Sequence, residues 1–287
     1  MNQPPTLPVF GPIPRGTPPD EAAARLAEIA RAIRRRDVLV IAGAGQGHIG
    51  GDFSAIDILA TLYFAVLNLD PADPADPERD RFVLSKGHCS AALYTTLAAF
   101  GLLEAAALDT YMRPGSKLNG HPDRNKVTGV EANTGTLGHG LPVAAGFALA
   151  AKLDASPRRT FVLTGDGELE EGSNWEAMMT AAHHGLENLT VIADVNGLQQ
   201  GATTVATTAL APLADKANAF GLEVVEVSGH DHRALLETFN APPTGKPRFV
   251  LAHTVKGYPI SFMSGNVAWH HKVPGPAQVA QILEELS

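Results

Sequence analysis

The chain has 287 residues, of which 45% are hydrophobic and 18% charged, with a net charge of −8 and a single cysteine. This composition is typical of a soluble globular protein with a large core. The only basic cluster, Arg31 with Arg34–Arg36, is interpreted as the solvated face of a helix, so nucleic acid is not an expected partner. No apolar stretch approaches 18 residues and no signal pattern opens the chain, so we expect no membrane contact and a cytoplasmic location.

The single cysteine, Cys89, excludes an internal disulfide framework. It directly follows His88, an arrangement that could be mistaken for a cysteine–histidine nucleophile pair. Adjacent side chains usually point apart, so we expect Cys89 to be a packed small side chain.

Residues 1–20 are expected to form a proline-rich irregular arm, because residues 2–19 hold seven of the 21 prolines. Pro19 begins a predicted helix that runs to about Arg36, with acidic residues in its first turn. A glycine-dense loop from Gly43 to Gly51 follows. Ser54 is predicted to cap an apolar helix that ends near residue 67.

Beyond residue 70, short apolar runs alternate with helical patterns. Strands are predicted at residues 82–84, 161–164, 189–195, 223–227 and 248–255, and helices at about 91–100, 141–153, 173–185, 213–220 and from 231. This alternation predicts one α/β domain over residues 21–287, with a doubly wound, mostly parallel sheet and helices on both faces. Ligands of such sheets bind beyond the carboxyl ends of the strands.

Two of these strands end in polar residues. Asp166 follows the strand that ends at Thr164-Gly165, and Asn196 follows the next strand thirty residues later. A carboxylate, an amide oxygen and a loop carbonyl suit Mg²⁺ and its phosphate ligands. The flanking Gly165 and Gly167 let the backbone approach a diphosphate. G-D-G alone also fits a solvated turn, but the added N-G-L favours a metal–diphosphate site.

Five of the eleven histidines directly follow a glycine. Glycine clears space around a loop side chain, so together they indicate a polar cavity suited to hydroxyls and phosphates, although each alone fits a hydrogen-bonded loop residue equally well. Zinc is not expected, because neither H-E-x-x-H nor a paired Cys/His spacing occurs. The five are His48, His88, His121, His139 and His230.

Seven motifs occur in order: G-H-I-G-G, D-R-F-V-L-S-K-G-H, G-H-P-D, T-G-T-L-G-H-G, G-D-G-E-L-E-E-G, V-N-G-L-Q and V-K-G. With them the chain resembles the N-terminal, diphosphate-binding half of transketolase. More specifically, it resembles the first subunit of split transketolases, in which two genes supply the two halves. The resemblance runs from about residue 21 to the end.

This resemblance implies that thiamine diphosphate binds with Mg²⁺, or with Ca²⁺ or Mn²⁺ in its place. The implied metal ligands are Asp166, Asn196 and the backbone carbonyl of Leu198. The implied cofactor-binding residues are His88, Gly135, Thr136, Leu137, Gly165, Asp166, Gly167 and Asn196. The implied catalytic residues are His48, His88, His121, Glu171 and His270, of which His48 and His121 would bind hydroxyls of the donor sugar. Glu171 and Glu176 would lie at the subunit interface.

In this family the carboxylate that activates the cofactor lies in the following domain, which is expected on another polypeptide. We therefore expect a C-terminal transketolase subunit carrying a pyrimidine-binding domain as the partner, in an α₂β₂ assembly, and no activity from this chain alone. The implied reaction moves a two-carbon ketol unit from a ketose (phosphate) to an aldose (phosphate).

Three departures from the family pattern, at Ile49, His139 and Val267, suggest an unusual sugar substrate. Two alternative functions stay open at this point. One is an alpha-type subunit of a 2-oxoacid-decarboxylating enzyme, which has a similar G-D-G…N core. The other is a non-catalytic, cofactor-binding regulatory subunit.

Overall fold

Five parallel strands form the central sheet of this computed structural model, which describes residues 7–287. Their order across the sheet is β1-β2-β3-β7-β6, and every adjacent pair is parallel. A separate antiparallel pair, β4 and β5, follows β3. The strands are β1 (Arg81–Leu84), β2 (Thr160–Gly165), β3 (Leu189–Val195), β4 (Leu198–Gln199), β5 (Ala202–Thr203), β6 (Glu223–Ser228) and β7 (Arg248–His253).

Helices connect the strands and cover the sheet. Between β1 and β2 the chain also makes a long irregular excursion, from residue 111 to residue 139. The helices are α1 (Pro19–Ala44), α2 (Ile49–Thr61), α3 (Ser90–Phe100), α4 (Gly140–Leu153), α5 (Gly172–His183), α6 (Thr204–Thr207), α7 (Leu213–Ala219), α8 (His232–Asn240) and α9 (Pro276–Glu285).

Alternate residues of each strand face opposite sides of the sheet and join two separate cores. On β2, Phe161 and Leu163 pack into the core that contains α1, α2, α3 and α8. Val162 between them packs into the core that contains α4, α5 and α7. Helices therefore cover both faces of a parallel sheet, and the doubly wound α/β class that the alternation predicts is confirmed.

The first two helices differ from their predicted bounds. α1 continues for two more turns beyond Arg36, because Val38, Val40 and Ile41 extend its buried face, and it ends at Gly45 with φ of 70°. The predicted glycine loop therefore shrinks to residues 45–48. Ser54 lies inside α2 and is not its cap. The last helix, α9, is not among the predicted elements.

The interpretation of the basic cluster as a solvated helix face is wrong for two of its arginines. Arg34 is buried and forms an ion pair with Asp57 of α2, with a shortest distance of 2.7 Å. Arg36 is also buried, and its guanidinium donates to Asp109 at 2.7 Å. These charges hold α1 to its neighbours instead of facing water.

The described part of the predicted arm, residues 7–18, has no helix or strand and packs against the helices. The backbone N–H of Phe10 donates to Ala99 at 2.7 Å, and that of Ile13 donates to Phe64 at 2.7 Å. Residues 1–6 of this arm lie outside the described residues.

One helical segment is long and apolar enough to cross a membrane, contrary to the expectation that no such stretch exists. It spans Ile49–Val66, and 94% of it is buried inside the fold. A core helix of a globular domain is buried in the same way.

Candidate active site

The loops that follow the carboxyl ends of β1, β2, β3 and β7 converge on one cavity of about 420 Å³. This is the edge at which doubly wound sheets bind their ligands. The lining residues are His48, Lys86, His88, His121, Gly135, Leu137, Gly165, Asp166, Gly167, Glu168, Asn196, Leu198, Gln199, Gln200, Thr207, Lys256 and His270.

Most of the site residues expected from the sequence meet in this cavity, although they come from distant parts of the chain. Five do not line it. Thr136 is exposed in the loop before α4, Glu171 at the start of α5 and Glu176 one turn later. The expectation that all five glycine-flanked histidines share this cavity is wrong for two of them, since His139 is exposed and His230 lies 2.7 Å from Asp57 instead. The residues brought together are His48, His88, His121, Gly135, Leu137, Gly165, Asp166, Gly167, Asn196, Leu198 and His270.

Asp166 stands at the carboxyl end of β2 with its side chain held by two backbone amides. Oδ1 accepts the N–H of Gly167 at 2.8 Å, and Oδ2 accepts the N–H of Gly197 at 2.6 Å. Each oxygen keeps lone-pair capacity for a further partner. Burial, followed by the nearby Asp194 carboxylate, raises the pKa of Asp166 to about 6. A bound cation would offset this cost of burying the negative charge.

The two other expected metal ligands are also polar oxygens of this cavity. The amide Nδ2 of Asn196 donates to Asp194 at 3.2 Å, and its Oδ1 accepts the backbone N–H of Leu198 at 3.1 Å. These bonds orient the amide group, and Oδ1 keeps one further lone pair. The carbonyl of Leu198 already accepts the ammonium of Lys256 at 2.7 Å, so it lies where a positive charge is favoured. One carboxylate, one amide oxygen and one carbonyl fit a divalent cation that prefers oxygen ligands, such as Mg²⁺.

No group of three or more His, Cys, Asp or Glu side chains with metal-binding geometry occurs within residues 7–287. The set described above contains only one such side chain, Asp166. A site of this kind depends on an amide, a main-chain carbonyl and phosphate oxygens for its remaining ligands.

A buried ion pair lies beneath the cavity. The ammonium of Lys86, after β1, is paired with the carboxylate of Asp194 on β3, and both are almost fully buried. Ser54 donates to Asp194 at 2.6 Å, and Thr254 also donates to it. Burial acts to lower the pKa of Lys86, but the charge and hydrogen bond of Asp194, together with Cys89 and Asp166, raise the net pKa above its usual value. Lys86 is therefore a fixed positive charge at the floor of the site.

Lys256 joins the loop after β7 to the loop after β3. Its ammonium contacts Nδ1 of His270 at 3.0 Å as well as the carbonyl of Leu198. An ammonium can only donate, so Nδ1 of His270 accepts and Nε2 carries the proton. Burial, and then the charge of Lys86, lower the pKa of Lys256 to about 8.

The ring of His48 packs edge to face against two other histidine rings above these lysines. The ring centroid of His48 lies 5.2 Å from that of His88 and 5.5 Å from that of His270. Burial, and then His271, lower the pKa of His48 to about 4. Burial, and then Lys256, lower the pKa of His270 to about 3, and burial also lowers that of His88.

His121, whose ring lies beside Gly135, has its pKa lowered by burial as well. All four imidazoles are therefore neutral at pH 7, and each offers one donor and one acceptor. Such a wall suits sugar hydroxyls. The lysines of the cavity supply its positive charge.

Cys89 directly follows His88, but its surroundings do not suit a nucleophile. Its thiol is fully buried, and burial raises its pKa, so the thiolate needed for nucleophilic attack is disfavoured. This agrees with the expected packed side chain.

Several lining residues were not singled out from the sequence. Lys86 and Lys256 lie within the S-K-G-H and V-K-G motifs, and each is a lysine beside a glycine just after an apolar strand. That position was the available signal, because ligands of such sheets bind beyond the carboxyl ends of the strands. Gln199, Gln200 and Thr207 carry no comparable signal, since they lie in a polar loop whose path the sequence does not define.

Comparison with known proteins places these motifs in a family. The family model described as "Transketolase, thiamine diphosphate binding domain" matches residues 26–287. An apulose-4-phosphate transketolase subunit of Actinobacillus succinogenes is 50% identical over 259 residues, covering 90% of this chain and 94% of that protein. A 6-deoxy-6-sulfo-D-fructose transketolase subunit of a Clostridium species is 40% identical over 244 residues, covering 84% and 89%.

Solved structures agree with the family model. The transketolase of Campylobacter jejuni has a TM-score of 0.84 at 30% identity, over 91% of this chain and 42% of that chain. The transketolase of Leishmania mexicana also has a TM-score of 0.84, at 31% identity. The chain thus spans about two fifths of the solved transketolases that it matches. It belongs to the transketolase family, within which it is similar to the chains named as transketolase subunits and comprises the thiamine diphosphate binding domain.

Proposed function

We propose that this chain is the diphosphate-binding subunit of a two-chain transketolase that depends on thiamine diphosphate and Mg²⁺. With a C-terminal subunit carrying the pyrimidine-binding domain, in an α₂β₂ assembly, it would move a two-carbon ketol unit from a ketose phosphate to an aldose phosphate. The observation that carries the proposal is the meeting of Asp166, Asn196 and the Leu198 carbonyl in one cavity with two lysines and four neutral histidines.

Asp166, Asn196 and the Leu198 carbonyl would hold the metal ion, with Ca²⁺ or Mn²⁺ as substitutes for Mg²⁺. Lys256, which contacts the Leu198 carbonyl, would compensate diphosphate charge. When bound, thiamine diphosphate supplies the carbanion chemistry that no amino-acid side chain provides.

The histidines of this chain would bind and orient the donor sugar. Because Lys256 occupies Nδ1 of His270, the proton on Nε2 is free to be donated to a substrate oxygen. His48 and His121, which are neutral at pH 7, would accept from or donate to neighbouring hydroxyls. This dense set of hydroxyl partners supports a sugar over a 2-oxoacid as the substrate.

The surface of α4 and α5 supports the need for a partner. Val143 on α4 is 40% exposed and Met179 on α5 is 55% exposed, which leaves apolar side chains on adjoining helices in water. Gly146 of α4 has open space where a side chain would stand, which permits close approach of another backbone. Leu137, at the rim of the cavity, is also partly exposed. A partner docked here would reach the cavity.

The experiment is a ketol-transfer assay of this chain alone, of the product of the adjacent gene alone, and of the mixture, with Mg²⁺ and thiamine diphosphate. Apulose 4-phosphate is the first donor to test, because the relative with 50% identity carries it in its name. Xylulose 5-phosphate and pyruvate are the comparison donors. We expect activity only in the mixture and only with a ketose phosphate. Turnover by this chain alone, or with pyruvate in preference to the sugars, would contradict the proposal.

A further inference from the structure

One buried side chain accepts hydrogen bonds from three of the segments that surround the cavity. Glu168, in the turn between β2 and α5, is only 3% exposed. Its Oε1 accepts the hydroxyl of Ser85 and, at 3.0 Å, the backbone N–H of Gly138. Its Oε2 accepts the backbone N–H of Gly165 at 3.0 Å. The three donors belong to the loop after β1, the loop before α4 and the end of β2.

The turn that carries Glu168 is held in place by hydrogen bonds to its main-chain carbonyl. The carbonyl of Glu168 accepts the side-chain amide of Asn174 at 2.7 Å and the backbone N–H of Glu171 at 3.1 Å. Asn174 is fully buried in α5. The turn therefore cannot move away from the three donors without breaking its bonds to Asn174 and Glu171.

The loops joined by Glu168 are the ones whose backbone lines the cavity. Gly135 and Leu137 lie just before Gly138, and Gly165 with Gly167 flanks Asp166. The backbones of these loops lie close to one another. A side-chain carbon on Gly87, in the loop after β1, would lie 2.8 Å from the backbone nitrogen of Gly135. A small shift of one loop would therefore displace its neighbour.

We infer that Glu168 is a positioning residue, whose carboxylate locks the three glycine-containing loops in the arrangement that receives the diphosphate end of the cofactor. The inference deepens the proposed function, and it depends on that function only for the identity of the ligand. The arrangement of the loops is a property of this chain alone.

A carboxylate is the group that this position requires. All three partners donate, and an ionised carboxylate offers acceptors only. Glutamine has the same shape, but its NH₂ group would face at least one of the backbone N–H groups and could not bond to it. Glu168→Gln therefore removes at least one charge-assisted hydrogen bond while adding no volume.

The test compares Glu168→Gln with Glu187→Gln. Glu187 also accepts a backbone N–H, that of Gly245 at 3.1 Å, but it is exposed and lies at the opposite edge of the sheet. Hydrogen–deuterium exchange is measured on each variant without cofactor. We expect faster exchange in the peptides that contain Gly138 and Gly165 for Glu168→Gln only, with exchange in α1 and β7 unchanged.

Cofactor affinity is measured next, by titrating thiamine diphosphate with Mg²⁺ into each variant mixed with the partner subunit. We expect roughly tenfold weaker binding for Glu168→Gln, the size of one hydrogen bond to a charged group. We expect kcat at saturating cofactor to change little. Ser85→Ala removes one donor and should give a smaller shift in the same direction, and it replaces Glu168→Gln if that variant does not fold.

Unchanged local exchange, or faster exchange spread evenly over the whole chain, would overturn the positioning role. So would a loss of kcat with unchanged cofactor affinity. If the unaltered complex binds no thiamine diphosphate, the proposed function fails, whereas the exchange measurement still decides the role of Glu168 in holding the loops.

Discussion

The ammonium of Lys86 and the carboxylate of Asp194 form an ion pair in which the two side chains are 2% and 0% exposed. Removing one partner of such a pair leaves the other as an uncompensated buried charge. We expect Lys86→Met to lower the free energy of unfolding by about 3–5 kcal/mol.

Chemical denaturation followed by circular dichroism measures this loss. The matched control is Lys152→Met, because Lys152 donates to the carbonyls of His184 and Gly185 at an exposed position. The control should lose less than about 1 kcal/mol. Equal losses in the two variants would show that the buried pair has no special role in stability.

Asp166→Ala should abolish metal-dependent cofactor binding. The substitution removes the only carboxylate among the three expected ligands. We expect the affinity for thiamine diphosphate in the presence of Mg²⁺ to fall by a factor of about 100 or more, since even residues that only orient metal ligands contribute 10–100-fold. Calorimetric titration of the complex measures the affinity, and circular dichroism checks the fold. Asp154→Ala, an exposed aspartate at the end of α4, is the control. An unchanged affinity in Asp166→Ala would reject this metal site.

The buried Asp52 of α2 should make stability depend on pH. Burial raises its pKa to about 7, although the N–H of Ala92 and the charge of Lys86 act to lower this pKa. Asp37 faces Asp52, and burial followed by the Asp52 charge raises the pKa of Asp37 as well. A carboxyl group whose pKa is higher in the folded chain than in the unfolded chain stabilises the fold when it is protonated. This contribution is fully present below pH 3.8, the usual pKa of an aspartate, and is lost as the pH rises towards 7.

Asp52→Asn removes this titration. We therefore expect the difference in unfolding free energy between the variant and the parent to shift in favour of the variant by about 1.4 kcal/mol per pH unit between pH 4 and 7. Urea denaturation at several pH values measures it. A difference that stays constant across this range would show that Asp52 is ionised in the folded chain.

Gly87→Ala should disturb the wall of the cavity, because Gly87 lies between the lining residues Lys86 and His88. A methyl group there would lie 2.6 Å from Oγ1 of Thr134 and 2.8 Å from the nitrogen of Gly135. We expect a lower melting temperature and weaker cofactor binding. Gly43→Ala is the matched control, since Gly43 lies inside α1 with nothing near its missing side chain. The control should gain up to about 1 kcal/mol from helix propensity. If both substitutions lower stability equally, steric contact is not the cause.

Val143→Arg should prevent assembly with the partner while leaving this chain folded. A charged side chain on the exposed face of α4 cannot be buried in an interface without a matching charge. Size-exclusion chromatography of the mixture measures assembly. Ala72→Arg, in the exposed loop before β1, introduces the same residue away from this face. Normal assembly of Val143→Arg would place the partner on another surface.

The strands and their polar ends could be predicted from the sequence, because each buried strand is a short apolar run that stops near a glycine or a polar residue. The predicted β3 has the observed bounds, Leu189–Val195. Once the parallel sheet is inferred, Asp166 and Asn196 must lie at one edge. The geometry of parallel strands, and not any feature of the loops, explains this success.

Contacts between distant loops could not be predicted in the same way. The pairing of Lys256 with His270 and the three donors of Glu168 depend on how long irregular segments cross each other. The sequence wrongly predicts that Arg34 is a surface residue for the same reason, since its partner Asp57 belongs to another helix. Local pattern carries no information about which distant charge will meet a given side chain.

The cavity is closed by residues that are more than 200 positions apart in the sequence. His48 follows the first helix, and the ring that packs on it, His270, belongs to the last segment before α9. The backbone of Gly50 likewise accepts the N–H of Gly257 at 2.9 Å. During synthesis on a ribosome, the sheet can therefore be almost complete while the pocket still lacks one wall. The pocket is finished only when β7 and the segment after it have emerged, so a nascent chain that stops at β6 cannot capture a ligand that needs every wall of the pocket.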